Sequence, residues 1–114
     1  MATGVIKHSG LDKSVSVTMI QGTTDANNTS IIQEGKLVSG YISIGGLTLD
    51  ASSWVNLMRI SAPPNATCLA HAYLGSNGSD CAIIRFMTDG LVHIFPTKSL
   101  SNNAINFMFT YRTA

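Results

Sequence analysis

Residues 80–95 read Asp80-Cys81-Ala82-Ile83-Ile84-Arg85-Phe86-Met87-Thr88-Asp89-Gly90-Leu91-Val92-His93-Ile94-Phe95, two β-rich runs parted by Thr-Asp-Gly. That pattern is a β-hairpin. A two-residue turn at Asp89 and Gly90 would set Phe86 against His93 and Ile84 against Phe95, leaving Val92 and Ile94 with Met87 and Arg85. A three-residue turn of Thr88, Asp89 and Gly90 sets Phe86 against Val92 and Ile84 against Ile94, four apolar side chains on one face, with Gly90 supplying a positive φ. The second register is expected, because it makes one face a clean core face.

Working outward, short strands recur on both sides. Residues 14–19 alternate, with Val15, Val17 and Met19 against Ser14, Ser16 and Thr18, the pattern of a half-buried strand. Residues 21–28 read as a loop. Residues 29–33 and 36–44 read as strands parted by a Glu34-Gly35 turn, with Tyr41 and Ser43 opposed to Val38, Ile42 and Ile44. Gly45, Gly46, Asp50, Ser52 and Ser53 then punctuate the chain before a strand over residues 54–60. Pro63 and Pro64 end that strand, since neither can donate to a ladder. Residues 67–74 follow with Cys68, Ala70, Ala72 and Leu74 on one side and His71 and Tyr73 on the other. Residues 75–79 form a polar turn into the hairpin, and residues 104–111 close the series with Ile105, Phe107, Phe109 and Tyr111 in alternation.

No window of helical length carries apolar residues at three-and-four spacing. The expected fold is therefore all-β, an antiparallel β-sandwich or jelly-roll-like barrel of about eight short strands. The 114 residues suit one domain, 1–114, with residues 1–12 as an arm or flexible N-terminus.

Composition narrows the function. Net charge is +1 and only 11% of residues are charged, against roughly a quarter in ordinary globular chains. Ser, Thr and Asn outnumber the charges, so the surface is largely neutral and offers phosphate backbones no electrostatic footprint; nucleic acid is not an expected partner. No apolar run approaches the ~20 residues of a membrane helix, and residues 1–10 lack the apolar centre of a signal peptide. Neither membrane insertion nor secretion is expected. Cys68 and Cys81 lack redox or zinc spacing; they could bridge, but the expected reading is two small buried hydrophobes.

Catalysis is not expected either. The six acidic residues are scattered, with Asp50, Asp80 and Asp89 in turn contexts where hydrogen bonding to the backbone accounts for them. His8, His71 and His93 have no ligand-like spacing, so neither a metal nor a cofactor is expected. Trp54 could stack on a sugar ring, but at the head of an apolar strand its expected role is packing at the core or rim.

The outer face of the hairpin pairs Arg85 with His93, flanked by Met87 with Leu91 and Ile83 with Phe95. That face is too apolar to face water alone, so three readings stay open: another part of the chain covers it, a neighbouring subunit does, or it holds a ligand. Sugar sites combine an aromatic platform with a few hydrogen-bonding side chains. Two neighbourhoods gather such groups: Tyr73 as platform with His71, Asn77 and Asp80, and the pair Arg85 and His93. The competing reading packs Tyr73 between subunits and leaves the polar groups solvating a turn.

Four features in order, the Trp-led strand Trp54-Val55-Asn56-Leu57-Met58-Arg59-Ile60, the break Ala62-Pro63-Pro64, the hairpin over residues 86–94 and the apolar strand ending at Tyr111, resemble the C-terminal head or receptor-binding domains of tailed-phage tail-fibre and baseplate proteins. The likeness covers the last two-thirds of the chain and is one of layout. It implies a homo-oligomer, typically a trimer, in the virion tail alongside other tail proteins, made in the bacterial cytoplasm and recognising a host cell-surface saccharide. The alternative is a purely structural virion or assembly protein that binds no sugar.

Overall fold

The computed structural model describes residues 12–24 and 29–113. The expected N-terminal arm over residues 1–12 lies outside these but for Asp12, as does His8. Ten antiparallel strands follow in chain order: β1 (Asp12–Ser14), β2 (Val17–Met19), β3 (Thr23–Thr24), β4 (Ser30–Glu34), β5 (Leu37–Leu49), β6 (Val55–Ile60), β7 (Cys68–Leu74), β8 (Asp80–Phe86), β9 (Leu91–Pro96) and β10 (Leu100–Arg112). Their order across the sheet is β1-β4-β5-β10-β7-β8-β9-β6-β2, with β3 on β5. The all-β expectation holds.

The β8–β9 hairpin has the expected register: Phe86 faces Val92, Arg85 faces His93 and Ile84 faces Ile94. Gly90 takes φ +92°, its N–H donates to Met87 O at 3.0 Å, and Met87 N–H donates to Leu91 O at 2.9 Å, which closes a three-residue turn. Asp89 Oδ1 accepts from Leu91 N–H at 3.0 Å, so this turn aspartate serves the backbone.

Alternation fills one interior. Phe86 is fully buried and lies 4.6 Å from Phe109, 5.4 Å from Tyr111 and 6.2 Å from Phe107 between ring centroids. Three aromatic residues at alternate positions of β10 thus meet the hairpin's inner face, joined by Val38, Ile42 and Ile44 of β5.

The sheet nearly closes. β1 pairs with β4 at one edge and β2 with β6 at the other, so the run read as a single strand over residues 14–19 is broken at Val15 and Ser16, which cross between the edges. Val15 N–H donates to Ile31 O and Ser61 N–H to Ser16 O, binding the crossing to both sides. The Ala62-Pro63-Pro64 break also seals an end of the molecule: Tyr111 Oη donates to Ala62 O, Thr113 Oγ1 to Pro63 O, and Asn65 N–H to Arg112 O. Burial pushes the Tyr111 phenol well above its ordinary range.

Two boundaries and one register differ from the sequence reading. β5 continues through Gly45 and Gly46, where the partner register shifts and Gly46 adopts φ +71°, a bulge glycine rather than a strand end. β10 begins at Leu100 because polar side chains satisfy its early backbone donors: Thr48 Oγ1 accepts from Asn102 N–H and Asn103 Oδ1 from Ser101 N–H. In β6 a register shift between Asn56 and Met58 turns both Leu57 and Met58 inward, which alternation alone would not allow.

Both cysteines are free thiols. Burial raises the pKa of each, and the Asp80 carboxylate raises Cys81 further.

Candidate functional site

The outer face of β7 and β8 is set by the same registers that build the core. Leu69 faces Arg85, His71 faces Ile83, and a shift after Ala72 brings Tyr73 opposite Asp80. That bulge has a chemical result. Asp80 Oδ2 comes within 3.3 Å of His71 Nδ1, with the two side chains 61% and 55% exposed. A contact this open contributes little to stability, so it is free to serve as a pair of hydrogen-bonding groups.

β7 and β10 pair only at Ile105 with Leu74 and Asn106 with Tyr73. Gly75 N–H adds one bond, to Ala104 O at 2.9 Å, and toward Cys68 no further ladder pair forms among the described residues. A cleft of about 280 Å³ opens there, lined by Tyr41, His71, Tyr73, Asn106, Phe107 and Met108. Tyr41 lies across from Met108 on β5, Phe107 is buried, and Tyr41, Tyr73 and Met108 are exposed. The cleft lies just below the ~300–1,000 Å³ common for small-ligand pockets, room for one ring of a larger molecule. Its walls are aromatic and aliphatic. Its lining offers an amide and an imidazole, with the Asp80 carboxylate behind the imidazole.

Of the residues expected here, His71, Tyr73 and Asp80 come together. Asn77 is occupied elsewhere: its Oδ1 accepts from Ser79 N–H at 3.0 Å and Ser79 Oγ at 2.8 Å, organising the turn in which Gly78 takes φ +73°. Tyr41, Asn106 and Met108 were not anticipated. Tyr41 was legible as an outward residue of its strand, but only the β5–β10 pairing carries it to the cleft.

Arg85 and His93 occupy the neighbouring part of the same face. Arg85 Nε and Nη2 lie 3.2 and 2.9 Å from His93 Nδ1. Because arginine can only donate, Nδ1 is the acceptor and the His93 proton sits on Nε2. The guanidinium carbon lies 3.9 Å from the Trp54 ring centroid. Trp54 packs on Phe95 at 5.1 Å, so it is a rim residue that covers part of the hairpin's outer face. The same chain thus covers part of a surface whose covering the sequence left open.

Burial, and secondarily the Arg85 charge, hold the His93 pKa below its ordinary 6.5, with Asp89 opposing. The unfolded chain then binds more protons than the folded one in that window, so stability falls with falling pH. The urea midpoint is expected to hold above pH 6.5 and to decline as the pH falls through the lower folded value. His93→Gln should flatten that decline; equal slopes for parent and variant would show that the Arg85–His93 contact does not titrate.

No protein-family model matches this chain, and no curated protein matches it.

Proposed function

We propose that the chain is a non-enzymatic attachment module of a phage tail fibre or baseplate that holds a host-surface saccharide in the cleft between Tyr41 and Tyr73. The observation that carries the proposal is the cleft's composition: two tyrosines and Met108 for apolar ring faces, with Asn106 and His71, the latter backed by Asp80, for hydroxyls, in a chain poor in charge. Neutral sugars ask for that mixture, whereas a polyanion would ask for clustered Lys and Arg. The layout resemblance supports the same reading and suggests a homotrimer assembled with other tail proteins in the bacterial cytoplasm.

Leu69 and Met108, 62% and 72% exposed beside the cleft, favour a second reading, an assembly protein whose outer face packs against other subunits without binding sugar. Glycan-array screening of the purified protein, with its mass measured by light scattering, separates the two. Tyr73→Ala and Asp80→Ala are expected to weaken glycan binding by about five- to tenfold, as expected for loss of one stacking or hydrogen-bonding group. Variants that stay folded and oligomeric yet bind host cells like the parent would place the site elsewhere.

A further inference from the structure

We propose that Arg85 anchors a second recognition point on this face, one that takes the carboxylate of an acidic sugar residue, a uronic or sialic acid, in the bound glycan. The inference rests on the saccharide-binding reading above and names a substrate class for it.

Arg85 is held as arginines are held for a ligand. Its guanidinium lies on the Trp54 ring at 3.9 Å from the centroid and donates Nε and Nη2 to His93 Nδ1. Fixing so mobile a side chain opposes its rotamer entropy, and the usual return is a carboxylate seated in the fork. Among the described residues no carboxylate does so: Asp80 pairs with His71, and Asp89 accepts from the turn backbone. The partner actually present is a neutral imidazole, which orients the guanidinium without cancelling its charge. Nη1 makes no hydrogen bond among the described residues and remains available.

The surroundings select the anion. His93 Nε2–H is a further donor, and Asn56, across from His93 on β6, exposes an amide. The indole of Trp54 and the ring of Phe95 supply an apolar flank for a sugar ring. One fixed cation beside neutral donors matches a planar monoanion; a phosphate dianion would call for more positive charge than this face carries. Arg85 stands directly across from Leu69 and on the same face as His71, one inter-strand spacing, about 5 Å, from β7. The guanidinium leans from there toward His93 on β9, so a glycan chain long enough to cross β8 on this outer face can meet both the cleft and the guanidinium.

Trp54 is the only tryptophan, so its fluorescence reports on the guanidinium above it. The native protein is titrated with methyl glucuronoside, its methyl ester, methyl glucoside, N-acetylneuraminic acid and glucose 6-phosphate, with saturation-transfer NMR as a second readout. At least one free acid is expected to bind ~tenfold or more tightly than the uncharged sugars, the usual scale of a charged hydrogen bond, and which acid wins distinguishes the uronic from the sialic source. Arg85→Gln should abolish that preference. Equal affinities of acid and ester, a preference that survives Arg85→Gln, or tighter binding of the sugar phosphate would overturn the inference. Neutral binding that is lost in Tyr73→Ala, without any advantage for the acids, would leave the attachment reading standing and end this one. Absence of binding by every sugar would end both. The acid–ester comparison needs no variant, so it decides even if Arg85→Gln fails to fold.

Discussion

Phe86→Ala is expected to remove about 3–5 kcal/mol of stability, the cost of emptying a large aromatic position in a packed core. Phe86 is fully buried, and its ring contacts Phe107, Phe109 and Tyr111 of β10. Its backbone stands between Cys68 on β7 and Val92 on β9. The side chain therefore couples the central hairpin to the long strand β10, beyond β7 in the sheet, and three rings lose a partner together. Since a whole domain is stable by only about 5–15 kcal/mol, the variant is expected to populate unfolded chain at room temperature. Phe86→Leu keeps most of the volume and should cost roughly 1–2 kcal/mol. Urea unfolding of all three proteins tests this ordering; an alanine variant within 1 kcal/mol of the parent would mean that the aromatic cluster is not the core's centre.

Gly90→Val is expected to cost roughly 2–4 kcal/mol, although the position lies in a turn. Two separate effects add. At φ +92° a β-branched residue is strained whatever the space around it. A Cβ there would also stand 3.0 Å from Ile60 O, in the stretch where Gly90 O accepts from Ile60 N–H at 2.8 Å and so ties the turn to the end of β6. Asparagine tolerates positive φ better and should lose less, leaving mainly the contact with Ile60. Thermal melts of the glycine, asparagine and valine forms give the order, and cross-strand NOEs between Phe86 and Val92 report whether the register survives. A valine form melting with the parent would refute the account of this turn.

The hairpin was legible in the sequence because everything that decides its register is local. Four apolar residues on one face and a glycine in the third turn position select one pairing within 16 consecutive residues. The same period of two exposed the outward positions of His71, Tyr73, Arg85 and His93, and the low charge with abundant Ser, Thr and Asn set the neutral surface. What alternation could not convey was where it fails. The bulges at Asn56 and Ala72, the continuation of β5 through Gly45 and Gly46, and the polar start of β10 all depend on a partner strand far away in the chain.

Those failures are where the candidate site arises. The shift after Ala72 brings Asp80 to His71, the short β7–β10 ladder sets Tyr73 beside Asn106 at the cleft, and the β5–β10 ladder carries Tyr41 to Met108. Trp54 reaches Arg85 only because β6 lies beside β9. By itself the sequence determined the strands, their inward faces and the central turn, since side-chain alternation and backbone preference act over a few residues. The closure of the sheet, the aromatic cleft and the guanidinium on its indole were decided by tertiary structure, because each joins residues tens of positions apart whose meeting depends on strand order and register.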